Sequence, residues 1–448
     1  MKTRGAKAGA GQSAPLRLAC PRGANPLAED RAYMRPWNVV LTLMAVSNGV
    51  VGAAQRVTPV PVHQLGRRLA TSAAPLKTIS GVRQLSDGRV LVNDGTTPQL
   101  LLFDSSLTTF VVVADSSVGT ARSYRSPGSI MPYRGDTTML FDPISTSLLV
   151  IDPGGAIVRT VALPVPADAA FIQTSGGRVS AFFDPQQRMI YQASMTTASR
   201  PTIASTGRAM FIPRDTHDSI APIVRTTWST NVVDTLGYLR LREPAARVPF
   251  TTAEGASVQK TVLNPIVLVD DWTVTSDGVV ALVRAQDYHI DWIDPSGRRT
   301  ASPKLPIGLH RLSDSEKVAI VDTMRAFAEA YPLTGVAGVN GRGVKYTVVN
   351  DVIDAADVAD YVAPFMARTA MADAEGNVWL RPTPEWVPPG PPRQTDAPTI
   401  YDVVNPSDGL IDRVQVPSGL SIVGFAPDVV YLAAREGTGA FLMRVQIR

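Results

Sequence analysis

An all-β six-bladed β-propeller, closed by its own N-terminal strand and carrying one helical insertion, is what three features of this 448-residue chain predict. An Asp-Gly-punctuated strand pattern returns about every fifty residues, the length of a four-stranded blade. The last unit ends one strand short. Thirty-four glycines and 36 prolines divide the chain into short elements joined by turns.

The repeat is clearest in two places. Asp87-Gly88 leads through Arg89 to Val92 into Leu100 to Asp104, then Thr109 to Val113. Asp277-Gly278 leads through Val279 to Leu282 into Ile290 to Asp294, then Pro295-Ser296-Gly297. Between them, Asp136 to Phe141 precedes Leu148 to Asp152, Gly154-Gly155 and Ile157 to Leu163. β-Branched and aromatic residues fill the strands, and Gly and Asp supply the turn conformations. Three further units follow the same outline: Val179 to Leu241, Ala370 to Val416, and Leu420 to Ile447. Inner turns near 87, 136, 186, 277, 375 and 428 give six units, although residues 190–265 leave room for a seventh. The sixth stops at Arg448 after three strands. The segment Arg56 to Ile79, with strand-like Val57 to Val62 and Leu76 to Ile79, is expected to supply its outer strand and cover an open edge.

Asp373-Ala374-Glu375-Gly376-Asn377, followed by Val378-Trp379-Leu380, resembles the D-x-x-G-x-x-W signature of NHL-like and lyase-like six-bladed propellers. With the Asp-Gly units, residues 57–448 are similar to bacterial propellers of the NHL/TolB-like group. Such a resemblance implies a fold and little about activity, because propellers host many functions.

Residues 1–54 read as a leader and signal peptide. Trp37 to Val51 is an apolar run, with Arg35 before it and Gly52-Ala53-Ala54 after it. It is short for a membrane span and contains Ser47, Asn48 and Gly49. Met34 to Ala54 alone makes a compact signal, which points to a true start at Met34 or to a long n-region. The expected mature chain, 55–448, is periplasmic or secreted, with no stable membrane span. Cys20, the single cysteine, lies in the leader, so no disulfide is expected. The leader also holds seven of the 43 Lys/Arg and two of the 39 Asp/Glu, leaving the body at −1. A neutral body excludes the electrostatic footprint of a nucleic-acid binder.

Loop lengths carry the functional signal. In a propeller blade, the first-to-second and third-to-fourth strand turns open on one face, and these are uniformly tight here. The long segments 114–129, 194–218, 242–268, 307–366 and 382–398 all open on the other face, where a rigid scaffold presents binding loops. The 307–366 insertion contains a helix. Ser313 and Glu316 form a capping box, Val318, Val321, Met324, Ala328 and Tyr331 recur at helical spacing, and Pro332 ends it. A lid over the channel mouth and a plug on the propeller surface share this pattern. The 382–398 loop, proline-rich with Trp386, suits a fixed wall.

No catalytic motif stands out. His63, His217, His289 and His310 form no H-x-x-x-H pair, and neither a G-x-S-x-G elbow nor a phosphate-binding glycine loop is present. His217 and His310 share the long-loop face. Asp270 and Asp271 begin the innermost strand of the fourth unit, beside the central channel, but neighbours on a strand point to opposite faces. Arg122, Tyr124 and Arg125, with Arg368 from another loop, would make a cationic and aromatic ring for an anionic or sugar ligand. The expectation is a non-catalytic propeller without a cofactor, binding a small molecule or envelope protein on its long-loop face. The alternative is a Ca²⁺- or Zn²⁺-dependent hydrolase or lyase of the gluconolactonase or streptogramin-lyase type, with Asp271 as its best single ligand candidate.

Overall fold

The computed structural model describes residues 60–116, 128–172, 180–193, 202–203, 209–210, 220–228, 232–240, 246–251, 257–306, 309–330, 338–339, 345–383 and 397–448. All belong to one compact unit, Val57–Arg448. The leader, including Cys20, lies outside the described residues.

Six antiparallel four-stranded sheets follow one another along the chain. Blade I is Ile79–Gln84, Val90–Asp94, Gln99–Phe103 and Phe110–Ala114. Blade II is Ile130–Pro132, Thr138–Asp142, Ser147–Ile151 and Ile157–Ala162. Blade III is Ala181–Phe183, Met189–Gln192, Ile220–Thr227 and Val232–Arg240. Blade IV is Asp271–Val274, Val280–Arg284, His289–Ile293 and Arg299–Ala301. Blade V uses Met371–Ala372, Val378–Leu380, Thr399–Asn405 and Gly409–Val416. Blade VI uses Leu420–Ala426, Val429–Glu436 and Gly439–Gln446 from the C-terminus, and Arg68–Thr71 from the N-terminus. The core gives the same count of six. One apolar cluster fills each junction: Phe103 with Tyr431, Leu91 with Leu140, Met139 with Tyr191, Ile190 with Trp272, Tyr288 with Val378, and Trp379 with Leu432. The junction of Phe103 with Tyr431 joins the last blade to the first, so the ring is closed.

The closing segment is the expected one, but its strands differ. Arg68–Thr71 pairs antiparallel with Gly439–Gln446 as the outer strand of blade VI, and Leu76 bridges Ala440 further along. Val62–Gln64 adds a fifth strand, parallel, to blade V, and Ile79 opens blade I. Pro61 lacks the N–H that a ladder needs, and the described strand begins at Val62; Val57, Thr58 and Pro59 lie outside the described residues. The first described strand and the C-terminal arginine are pinned to one buried carboxylate. Asp412 takes His63 Nδ1 at 2.7 Å on one oxygen and Arg448 Nη2 at 2.6 Å on the other. Burial alone would raise its pKa. The hydrogen bonds from Arg448, His63 and the Arg413 N–H outweigh that and hold it below the ordinary 3.8.

Several of the Asp turns share one mechanism. A side-chain oxygen at the start of the turn accepts the backbone N–H four residues later, fixing a tight turn. Asp152 does this for Ala156, Asp184 for Arg188, Asp294 for Arg298 and Asp373 for Asn377. In blade IV the Thr275 hydroxyl takes the same place for Val279. Asp373 also accepts the Trp379 indole N–H at 2.9 Å, so the tryptophan of the D-x-x-G-x-x-W pattern is anchored by the aspartate six residues before it.

These turns hold hands around one face. Ser86 donates from N and Oγ to Asp136, joining blade I to II, while Arg83 reaches the carbonyls of Gly135 and Thr137. Burial pulls the Arg83 guanidinium down to about 10 against the pull of Asp136. Arg134 bonds Gln187 of blade III, and Arg188 of that blade bonds Pro295 O of blade IV. Gly278, at φ +86°, has Pro185 Cδ where a Cβ would come within 2.7 Å. Ser276 bonds Ala374 O, Asp428 N bonds Glu375, and Tyr431 OH bonds Gln84, completing the circuit from blade VI to I.

Two outcomes follow. Asp373→Ala leaves the Trp379 and Asn377 N–H groups without their acceptor, and a urea melt is expected to show a loss of about 2 kcal/mol. Because folding lowers the Asp412 pKa, its stabilisation is complete above about 3.8 and is lost as pH falls through the lower folded value. Melting temperatures measured from pH 6 down to 2 are therefore expected to fall less steeply in Asp412→Asn than in the unaltered protein.

Candidate binding face

On the side opposite the hydrogen-bonded turns, short connections alternate with long ones. The 95–98, 143–146, 285–288 and 437–438 links are tight, whereas the chain between blades III and IV, and again between IV and V, leaves the ring for long excursions. These two excursions meet. Ala246–Thr251 pairs antiparallel with Ser257–Leu263, which pairs in parallel with Lys345–Val352, itself edged by Gly338–Val339. The result is one four-stranded sheet made from both insertions that flank blade IV.

The helix Asp314–Ala330 packs with that unit. Ile320 and Val321 share a core with Leu312, Val352, Val358 and Val362, and Leu263 and Ile266 pack against it from the other insertion. The capping box forms as expected: Glu316 accepts Ser313 N at 2.8 Å, and Ser313 Oγ accepts Glu316 N at 3.3 Å. The Ser313 hydroxyl and N–H, with His310, hold the Glu316 carboxyl down to about 2. The buried stripe is shifted from the expected one. Val318 is 49% exposed, while Lys317 is buried along its stem and reaches Asp360 Oδ1 at 2.5 Å. A lysine whose ammonium meets a carboxylate at the edge of a core can occupy a position that apolar periodicity does not mark. Tyr331 lies outside the described residues.

Asp270 and Asp271 fall at the start of the inner strand of blade IV and turn to opposite neighbours. Asp270 accepts Arg240 N at 3.0 Å from the end of blade III, Ala285 N at 3.1 Å and Arg284 Nη1 at 2.8 Å. Arg284 also bonds Asp291 at 2.7 Å, and His289 stands between Asp287 and Asp291. Asp271 is buried. One of its oxygens accepts its neighbour Trp272 N at 2.8 Å, and the other accepts Thr369 N and Ala370 N at 2.7 and 2.9 Å from the loop entering blade V. The paired carboxylates therefore tie blade IV to the blades on either side.

That tie presents the third candidate. Arg368 immediately precedes the two amides held by Asp271, sits at φ +61° and is exposed. A non-glycine residue in this region persists where its surroundings enforce it, and the Asp271 clamp supplies the enforcement. Arg368 makes no salt bridge among the described residues. Below it, Tyr288 of blade IV donates to Asp402 of blade V at 3.1 Å, and Arg413 bonds the other oxygen at 3.0 Å. Burial lifts the Asp402 carboxyl and pushes the Tyr288 phenol well above its ordinary value. Arg122, Tyr124, Arg125, His217 and Trp386 lie outside the described residues. The joining of the two insertions had only a partial signal in sequence: each paired segment is rich in β-branched residues, but nothing local marks a partner some ninety residues away.

No family model matches the chain, and no curated protein matches it. Solved propellers overlay on it at low identity. Virginiamycin B lyase from Staphylococcus aureus is 11% identical over 85% of this chain and 99% of its own, with a TM-score of 0.37. A "putative exported protein" from Bacteroides fragilis is 9% identical over 86% and 95%, at 0.41. A gluconolactonase from Xanthomonas campestris is 8% identical over 87% and 99%, at 0.35. The blade count rests on the strand pairing and the six junction cores. No helix among the described residues is long and apolar enough to cross a membrane.

Replacing Asp271 tests the clamp. Asp271→Ala is expected to lower stability by about 2 kcal/mol, as buried amides lose their acceptor. It should also speed native-state trypsin cleavage after Arg368, as should Asp271→Asn; mapping the cut by mass spectrometry separates loop release from global weakening.

Proposed function

We propose that the protein is an exported binding propeller whose long-loop face captures an anionic small molecule or an acidic patch on an envelope protein, without catalysis. The observation that carries this reading is the joining of both insertions flanking blade IV into one α/β unit with its own core. A unit held by a core is a built surface rather than slack chain. The opposite face is consumed by its own hydrogen bonds.

Charge gives the reading its ligand class. Arg368 is held in a left-handed conformation and exposed beside the inner strands of blades IV and V. Arg122, Tyr124 and Arg125 are the further residues we assign to the same ligand, by the chemistry of guanidinium and phenol toward carboxylate, phosphate or sugar. Asp271, the best placed carboxylate for a channel cation, has both oxygens committed to backbone amides, which favours binding over metal-dependent hydrolysis or elimination. The NHL/TolB-like grouping is supported by Asp373, Gly376 and Trp379, and export by the apolar run at Trp37 to Val51 with its small-residue end.

The test joins two measurements on the purified mature protein. Elemental analysis is expected to find no stoichiometric divalent metal, and chelator is expected to leave the melting temperature unchanged. Titration with sugar phosphates and uronates is expected to give binding that weakens about tenfold in Arg368→Ala and is unaffected by Arg298→Ala on the tight-turn face. A bound Ca²⁺ or Zn²⁺ whose removal lowers the melting temperature would replace this reading with the metal-dependent enzyme.

A further inference from the structure

Propeller blades are arranged radially about a central channel, so the gap between neighbours widens toward the rim. Side chains that fill a junction near the axis leave space further out. Between blades V and VI that space is bounded by the closing segment. Val62–Gln64 lies along the edge of blade V and Arg68–Thr71 along the edge of blade VI. Leu65, Gly66 and Arg67 cross from one to the other. The crossing is fixed in place: Gly66 N donates to Gln446 O at 2.9 Å, and Gln446 N donates to Arg67 O at 3.0 Å. A Cβ on Gly66 would meet the Arg448 carbonyl carbon at 3.0 Å, so the crossing lies close against the C-terminal strand.

Beside it is a cleft of about 590 Å³, within the roughly 300–1,000 Å³ of small-molecule sites. Leu65, Leu420, Leu432, Met443 and Val445 supply its apolar wall. Leu432 and Val445 are buried in the junction core, while Leu65, Leu420 and Met443 pack on that core and keep part of their surface open. Gln64, Gln415 and Ser418 add neutral polar groups. Among the described residues that line the cleft, Arg68 is the one charged group, and no carboxylate is present. Arg67 and Arg68 are both exposed. Asp412, on the same strand as Gln415, is already committed to His63, Arg448 and the Arg413 N–H.

We propose that this cleft is a second binding site, on the rim of the propeller, for a small amphipathic carboxylate whose apolar body rests on Leu420, Leu432 and Met443 and whose carboxylate meets Arg68. The leucine and methionine surface rewards burial of an apolar body. A guanidinium receives a carboxylate with two parallel hydrogen bonds, which fixes the orientation of the ligand. A cationic amphiphile would find no counter-charge in the lining and would face Arg68. The wall is assembled from the closing segment and from both blades it joins, so the site exists only in the closed ring. A ligand held there stabilises closure by mass action.

Isothermal titration of the purified protein with decanoate, below its micellar range, is expected to show one site per chain, and the melting temperature is expected to rise with decanoate concentration. Decyltrimethylammonium, with the same chain and the opposite charge, is expected to bind at least about tenfold more weakly. Arg68→Gln should weaken decanoate binding about tenfold, Arg68→Lys should restore most of it, and Arg159→Gln on the rim of blade II should change nothing. Ser418→Trp, at an exposed position of the lining, is expected to fill the cleft and abolish binding. Should Ser418→Trp fold poorly, the Arg68 pair decides, because Arg68 pairs with blade VI through its backbone and its side chain is exposed. Failure of decanoate to bind overturns the proposal. So does equal binding of decyltrimethylammonium, or decanoate binding that Arg68→Gln leaves unchanged.

Discussion

Everything in this molecule depends on closing a ring of six twisted sheets with a chain that runs out one strand too early. An open propeller would expose the inner face of its first blade and the edge of its last, and neither exposure can be made good locally. The solution is to bring the first described strands and the C-terminal strands together. Arg68–Thr71 completes blade VI, and Tyr431 and Leu442 of that blade bury themselves against Val92 and Phe103 of blade I. Asp412 then receives a residue from each end, His63 and Arg448. Closure thus couples the two ends thermodynamically: loss of the first dozen described residues would uncover a strand edge and release the C-terminal arginine's neighbour on the same carboxylate.

Closure also divides the two faces by function. Once the blades are fixed, the inner turns lie close enough to bond across every junction, and they do so with whatever chemistry each turn offers: a serine to an aspartate, an arginine to a glutamine, a guanidinium to a proline carbonyl. A turn committed in this way cannot lengthen without breaking its neighbour's contact. Additional chain is therefore accommodated on the other face, in the connections between blades III and IV and between IV and V. The sheet that joins Ser257–Leu263 to Lys345–Val352 shows how far this freedom extends, because it is assembled from the two insertions that flank blade IV in the chain.

The features legible in the sequence were those with a local cause. Inner turns such as those at Asp184 and Asp373 are legible because their Asp-to-amide bond spans only four residues, and the D-x-x-G-x-x-W signature is legible because Asp373 and Trp379 bond within one hairpin. The capping box at Ser313 is equally local. The errors came where the cause was distant. Val57 to Val62 has a strand's composition, but Pro61 cannot donate to a ladder and the described pairing begins at Val62, and the closing strand itself, Arg-Leu-Ala-Thr, is too short and exposed to announce itself. The helix stripe was misphased because the Lys317 ammonium has a partner, Asp360, forty-three residues away. The relation of Asp271 to Arg368 is invisible by the same measure. Only the fold brings the carboxylate of Asp271 to the two amides that follow Arg368.

That last relation bears on how acidic residues in such repeats should be read. Aspartates near a central channel invite a metal-binding interpretation, and six blades supply many of them. In this chain the buried ones have structural employment: Asp184 and Asp373 close turns, Asp402 receives a tyrosine and an arginine, Asp412 holds the chain ends, and Asp271 clamps a loop. A carboxylate that accepts two or three hydrogen bonds at 2.7 to 3.0 Å has already replaced the water it lost on burial. To bind a cation it would have to surrender those partners and leave their N–H groups unsatisfied. The position of an aspartate along an inner strand therefore says little about chemistry until its acceptor capacity is counted. In this propeller the count directs attention away from the channel carboxylates and toward the exposed cation that one of them holds in place.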